Sequence, residues 1–355
     1  METTKKDRDV ALQVDEEESQ GVSNYCQAFP DNNVVVILSS SDYFAPYLGV
    51  CIKSILLNMH EPYNYDIIVI EREISSLNKK RLLDIVHDYS NVSLRFFNVK
   101  KEMKNVNFYI NSTRISQETY YGLLVPFLLT NFSKAIIMDC DMIVKEDLAE
   151  LYNVDLEGNI GGGINDVILK GWLSDPENDT KSYYLDELGI KNPFRCVNGG
   201  LILLDFDAYR KYCTKEKILY YINNYKLRVV DQDIFNLLLE NKFKMLDVRW
   251  NHMIYVEGGP ISEAIASAPK DARDAYFESQ KGPFIIHYAS ENKPWIKPDL
   301  EFAEEFWKVA RATPFYEIIL ARMAYEAAIH EICVCQIIHH PKHFQNMKYR
   351  IKSFV

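Results

Sequence analysis

From residue 34 onward, short apolar runs alternate with longer amphipathic stretches. Val34-Val-Val-Ile-Leu38 is a continuous β-branched run, the pattern of a strand buried on both faces. Ser39-Ser-Ser-Asp42 makes a polar turn, and a helix is predicted from about Pro46 to Met59, because proline is tolerated in a first helical turn. Asp66–Ile70 predicts a second strand. Ser75 is placed to cap a helix running to about Tyr89, and Val92–Val99 predicts a third strand. This βαβαβ succession implies a parallel sheet with helices on both faces. A helix over Gln117–Leu129 leads into a fourth strand, Ala135–Met138, which stops at Asp139. Gly161–Ile164 predicts a strand with little side-chain bulk. Lys170–Phe194 is polar, aromatic and irregular, and reads as a loop or lid. Gly199–Leu204 is another buried strand, followed by helices near Thr214–Tyr225 and Gln232–Glu240. A short strand, Phe284–Ile286, ends in His287. Past Trp295 the apolar spacing turns helical over Glu301–Arg311 and Phe315–Ile338. The chain therefore divides into a flexible acidic leader (1–32), an α/β domain (33–298) and C-terminal helices with a basic aromatic tail (299–355).

With 48% apolar residues in 355, a sizeable core can be buried, which excludes a disordered chain. A net charge of −10 argues against nucleic acid as a partner. The charge is uneven. Asp15-Glu-Glu-Glu-Ser19 lies in the leader, whereas His339 to Lys352 carries Lys342, Lys348, Arg350 and Lys352 with no acid. Cations interleaved with aromatics suit an anionic membrane surface; a solvated helix end shows the same pattern. The seven cysteines are odd in number and form no Cys-x-x-Cys pair, which fits a reduced, cytoplasmic setting. The start lacks an apolar signal core, and no run reaches membrane-spanning length. The expected location is the cytoplasm, at the inner face of the membrane if the tail engages it.

The candidate chemistry starts at Asp139 and Asp141. Two residues apart at a strand end, they project to one side and can grip one cation. Hard oxygen ligands suit Mg2+ or Mn2+, and an imidazole from His287 tilts the choice toward Mn2+. A bound diphosphate would fill the remaining positions, and the metal would neutralise charge building on it. Many Asp-x-Asp pairs are solvated loops. One that ends an apolar strand is more specific, since two unpaired carboxylates at a sheet edge are costly. His287 by itself reads as a satisfied, half-buried histidine.

Several motifs then follow in order: Ser39–Asp42, Tyr47-Leu-Gly-Val-Cys-Ile-Lys-Ser54, Asp139-Cys-Asp141, Asn198-Gly-Gly200, Asp231-Gln-Asp233, and His287 with Lys293-Pro-Trp295. With this set, the chain from Val34 to about Trp295 resembles the family eight retaining glycosyltransferases, which include bacterial lipopolysaccharide galactosyl- and glucosyltransferases and glycogenin. The resemblance implies a nucleotide-sugar-binding fold of the GT-A type, with a C-terminal helical appendage. It implies that Asp139, Asp141 and His287 bind Mn2+, with Mg2+ as the alternative, and that Lys293 reaches the diphosphate. Ser39, Ser40, Ser41 and Asp42 should line the uridine and ribose, and Cys140 and Ser290 should join the nucleotide contacts. Asp166, Asn198, Gly199 and Asp231 should contact the donor sugar. The implied reaction moves glucose or galactose from a UDP-sugar to a saccharide or lipid-linked oligosaccharide of a surface polysaccharide or lipopolysaccharide, forming an α-linkage.

Two-step retention needs a carboxylate nucleophile beside the anomeric carbon. The residue the resemblance puts there is an amide, Gln232, so a front-face path is favoured, in which the leaving phosphate takes the acceptor's proton. Asp233 is the second-choice nucleophile. Asp231 also reads as the N-cap of the helix that follows it. The chain departs from the family at Ser41-Asp-Tyr-Phe44, where Asp or Asn and then Asn-Tyr are usual. It departs again at Ser290, usually glycine, and at Gly122, usually an arginine facing the donor. Two other readings stay open. An aspartate-nucleophile phosphatase would attack with Asp139 and use Asp141 as acid, leaving the later motifs unexplained. A catalytically silent UDP-sugar-binding scaffold is kept open by Gly122.

Overall fold

The computed structural model describes residues 25–110 and 116–339. The acidic cluster of the leader and the basic aromatic tail lie outside the described residues. Ten strands form among those described: β1 (Asn33–Ser39), β2 (Asn64–Glu71), β3 (Val92–Asn98), β4 (Lys134–Met138), β5 (Met142–Val144), β6 (Gly161–Asn165), β7 (Val197–Asp205), β8 (Phe243–Met245), β9 (His252–Met253) and β10 (Ile285–His287). Seven of them build one sheet in the order β3-β2-β1-β4-β7-β6-β8. Every pairing in it is parallel except those of β7, which runs against both β4 and β6. Because β7 is reversed, its first residues lie at the same sheet edge as the last residues of β4. The register is Met138 opposite Leu201, and Asp139 N donates to Gly200 O at 2.9 Å.

The sheet is covered on both sides, as its uninterrupted apolar strands require. In β1, Val34, Val36 and Leu38 point into one apolar cluster, and Val35 and Ile37 into the other. Helices Ala45–Leu57 and Ser76–Val86 cover the first face; Tyr121–Leu128, Phe206–Tyr212 and Val230–Leu238 cover the second. The helices Ala303–Ala310 and Tyr316–His339 join the first cluster through Phe306, Phe315 and Ile319. A Cβ on Gly49 would lie 2.6 Å from the Phe315 ring, so a glycine lets this appended segment approach closely.

Several expectations change. The apolar run Ala135–Val144 is interrupted by Asp139-Cys-Asp141, and the chain leaves the main sheet there. Met142–Val144 becomes β5 of a second sheet, ordered β5-β10-β9, in which Met142 faces His287. That break, and the second strand after it, carry no signal separate from the apolar run they interrupt. The Lys170–Phe194 stretch is not a loop. It contains most of the helix Val167–Ser174, a turn at Thr180–Ser182, a π-helical turn at Tyr183–Glu187 and a 3-10 turn at Pro193–Arg195. Its tyrosines Tyr183 and Tyr184 are buried, which makes a polar-looking segment a core element. The helix assigned to Gln117–Leu129 opens as a 3-10 turn over Gln117–Tyr120 and carries Pro126 inside Tyr121–Leu128. Residues 25–32 are tied to the domain rather than to the leader. Ala28 N donates to Asp66 Oδ2 at 2.9 Å, and Arg95 donates to Cys26 O at 2.8 Å while covering the Tyr25 ring at 4.4 Å.

His252 in β9 is fully buried, stacked on Tyr276 at 4.8 Å, with Nδ1 2.8 Å from Ser279 Oγ. Burial lowers its imidazole to about 4. The unfolded ring titrates near 6.5. The native state therefore resists a proton that the unfolded chain accepts. This contribution is fully present above pH ~6.5 and is lost as pH falls toward ~4, up to roughly 3 kcal/mol. His252→Phe should flatten the loss of stability over that window, as read by denaturant unfolding at several pH values. An unchanged slope refutes the assignment.

Candidate active site

The end of β4, the start of β7 and the end of β10 meet at one edge of the sheet. Asp139 and Asp141 sit in the break between β4 and β5, where Asp141 O accepts from Tyr288 N at 3.1 Å, so the second sheet clamps the break. His287 Nε2 lies 3.3 Å from Asp141 Oδ1 and 3.6 Å from Asp139 Oδ2. One ligand atom from each of the three residues falls within 4.8 Å of the others, an arrangement that can hold a metal ion. The donor set fits one. Asp141 Oδ1 is buried and makes no well-formed hydrogen bond, a costly state that a cation would relieve. His287 Nδ1 is 2.8 Å from Asn251 Oδ1, which leaves Nε2 facing the carboxylates.

Charge is balanced unevenly across the pair. Enclosure in the cleft raises the Asp139 carboxyl above its usual range, and the Asp141 charge adds to it. Burial opposes charge on Asp141 too, but Lys293 and His287 outweigh it and hold that carboxyl well below the usual range. Lys293 Nζ contacts both Asp141 Oδ2 and the Tyr288 carbonyl. Cys140, between the two acids, is enclosed, and burial pushes its thiol far up, so it offers no thiolate. Ser290 is buried, its Oγ accepting from Asn292 N at 3.1 Å.

A polar cluster adjoins the acids. Asp166 caps the helix Val167–Ser174, its Oδ1 accepting from Leu169 N at 2.9 Å. Its other oxygen accepts from Asn198 Nδ2 at 3.2 Å and Gln232 Nε2 at 3.1 Å. Gln232 Oε1 accepts from Gly199 N at 2.9 Å. Gly199 and Gly200 let these groups close up: a Cβ on Gly200 would fall 2.5 Å from His287 Cε1 and 2.9 Å from Asp139 Oδ2. Asp231 lies in the first turn of Val230–Leu238, buried, with burial pushing its carboxyl up to about 7. It is not the N-cap, which is Val229.

Asp233 does that capping instead. Its Oδ2 accepts from Arg228 N at 3.0 Å, Val229 N at 2.9 Å and Tyr183 OH at 2.6 Å, and its Oδ1 accepts from Tyr184 OH at 2.8 Å. It is fully buried and surrounded by donors. A polar turn follows β1, and Leu38 pairs with Met138, so the start of Ser39–Asp42 lies beside Asp139. Ser40 is buried, and Ser41 Oγ accepts from Phe44 N at 3.4 Å. Asp42 is turned toward the second helix, accepting from Ser75 N at 2.9 Å and Asn78 Nδ2 at 2.8 Å. Gly122 is buried, and a Cβ there would meet Ile137 Cγ2 at 3.0 Å. Asn251 escaped the sequence reading, because an asparagine after Val248-Arg-Trp carries no pattern of its own. Tyr183 and Tyr184 escaped it because their segment read as a loop.

Residues 35–298 match the model of glycosyl transferase family 8. The chain belongs to that family. It is 26% identical over 271 residues to general stress protein A of Bacillus subtilis (strain 168), covering 75% of this chain and 88% of that protein. Among solved structures, the bifunctional glycosyltransferase WbbM superposes with a TM-score of 0.72 at 27% identity, over 83% of this chain and 52% of WbbM. The chain thus spans about half the length of WbbM. The galactosyltransferase LgtC, solved with donor and acceptor sugar analogues, superposes with a TM-score of 0.59 at 19% identity, over 79% of this chain and 96% of LgtC. The fold is of the GT-A type, and the protein is a glycosyltransferase.

Gly200→Ala should lower affinity for a divalent cation by about tenfold or more, since the new methyl group displaces His287 or Asp139. Gly282→Ala, where a Cβ meets nothing within 4 Å, is the control. Calorimetric titration of Mn2+ checks it; equal affinity for the two variants would refute the packing argument.

Proposed function

We propose that the protein moves a hexose, glucose or galactose, from a UDP-sugar to a saccharide acceptor of a surface polysaccharide or lipopolysaccharide. Configuration is retained and an α-linkage forms, with Mn2+ held by Asp139, Asp141 and His287. One observation carries this reading: a metal-competent triad, a lysine and an amide–carboxylate cluster share one sheet edge. A cation bound there would neutralise charge on the leaving diphosphate. Lys293 adds a second positive charge beside the same carboxylates. The turn Ser39–Asp42 lines the nucleoside, Cys140 and Ser290 pack beside the phosphates, and Asp166, Asn198, Gly199 and Asp231 hold the sugar hydroxyls.

The route to retention follows from which carboxylates are free. Gln232 is an amide held at both ends, a poor nucleophile. Asp233 is saturated with donors and serves as the anchor of the helix carrying Gln232. Asp231, with its carboxyl near 7, suits a hydrogen bond to a sugar hydroxyl better than attack. A front-face path remains. The bond from the anomeric carbon to the diphosphate oxygen breaks, the acceptor oxygen bonds to the same face, and the leaving phosphate takes the acceptor's proton. The phosphatase alternative is disfavoured, because Lys293 and His287 keep Asp141 ionised and so unfit as a general acid. No helix among the described residues is long and apolar enough to cross a membrane. Work in the cytoplasm, at the inner membrane face through the basic aromatic tail, belongs to the same proposal.

UDP-glucose or UDP-galactose should be cleaved slowly in the presence of Mn2+, as read by UDP release across a panel of UDP-sugars. Asp139→Asn and Asp141→Asn should each weaken Mn2+-dependent UDP binding by about 100-fold or more. Hydrolysis of phosphate monoesters, or UDP binding with no turnover of any donor, would overturn the proposal.

A further inference from the structure

Two consecutive peptide N–H groups orient every amide in the site. Gly200 N donates to Asn198 Oδ1 at 3.0 Å, and Gly199 N donates to Gln232 Oε1 at 2.9 Å. A peptide N–H only donates, so the atoms facing these two groups must be oxygens. The remaining assignments follow by elimination. With Oδ1 toward Gly200, Asn198 turns its NH2 to Asp166 Oδ2 and Gln232 Oε1, both at 3.2 Å. Asn251 meets Asn198 Oδ1 at 2.9 Å and must do so with its own NH2. Its oxygen is then the atom 2.8 Å from His287 Nδ1. An oxygen at that place requires a proton on Nδ1, so the lone pair of the neutral ring sits on Nε2, facing Asp139 and Asp141.

We infer that Asn251 is a positioning residue that carries the orientation set by the Gly199–Gly200 backbone to His287. It holds the ring in the tautomer a cation needs, and it joins the metal site to the sugar site. The naming of those two sites rests on the proposed function. The relay runs one way only. It starts at an imidazole lone pair and ends at Asp166, a carboxylate that accepts and cannot donate when ionised. Turning any member round would set oxygen against oxygen, or N–H against N–H, inside the protein. Asn251 is 1% exposed, so it has no water to turn to instead. A ligand on Nε2 and a hydroxyl on Asp166 therefore act on the same chain of amides.

Two substitutions separate the roles. Asn251→Ala removes both hydrogen bonds. Asn251→Asp keeps an acceptor for His287 but loses the donor to Asn198. In the metal-free protein, nitrogen-15 NMR of the neutral ring, assigned with His287→Ala, should place the His287 proton on Nδ1. Asn251→Ala should weaken Mn2+ binding without nucleotide by 10- to 100-fold, the range typical of such supporting residues. Asn251→Asp should keep Mn2+ binding within about threefold of wild type. It should still lose about tenfold in UDP-hexose affinity relative to UDP, the size of about one hydrogen bond. A proton on Nε2 would overturn the inference. So would thermal destabilisation of both variants with unchanged Mn2+ affinity, which marks a purely structural residue. Failure of the wild type to bind UDP with Mn2+ would instead overturn the proposed function, while the NMR result would still decide the tautomer.

Discussion

Two carboxylates forced together in a partly enclosed cleft are the constraint around which the site is arranged. At ~4 Å and an intermediate dielectric, like charges repel by about 4 kcal/mol. The protein offsets this with Lys293, and it leaves Asp141 Oδ1 without a well-formed hydrogen bond. The compensation is lopsided: Lys293 lies against Asp141, and Asp139 is left with its proton held more tightly. Such an arrangement is unfavourable for the protein alone and favourable once a cation enters.

Topology makes the arrangement possible. If β7 ran parallel to its neighbours, Asn198 and the two glycines would begin at the far edge of the sheet, away from Asp139. Its reversal brings the strand's start to the acids, and the hydrogen bond from Asp139 N to Gly200 O locks the approach. The second sheet then delivers His287 opposite Met142. Neither glycine is needed for an unusual backbone angle here. Gly199 and Gly200 are needed because the Gln232, His287 and Asp139 side chains occupy the space a Cβ would take. Behind them, Asp233 and the tyrosines Tyr183 and Tyr184 fix the helix that presents Asp231 and Gln232.

The sequence reading succeeded where a signal was local. The β-branched run of β1, the Ser75 cap, the strand ending at Asp139 and the helical spacing after Trp295 correspond to elements of the fold. It failed where burial ran against composition. Lys170–Phe194 looked like a loop because its aromatics carry hydroxyls, yet two of those hydroxyls are buried on Asp233. Asp231 looked like a cap by its position before an apolar stretch, but the helix starts two residues earlier than expected, and Asp233 reaches back to accept from Val229 N at its start. Asp42 also ties its turn to the second helix through Ser75 and Asn78, a link with no local signal in the chain.

By itself, the sequence determined the fold class, the family-like order of motifs and the acid pair, because each depends on residue types at short fixed spacings. Only the tertiary structure decided how those motifs act on one another. His287 joins the acid pair in a cluster able to hold a cation because β10 brings it to Asp141, 146 positions away in the chain. Asn251 acquires a role because Asn198 and His287 meet on either side of it. Hydrogen bonds between distant residues leave no periodicity in the chain, so the acid pair was visible from the outset, and the network that orients its third partner was not.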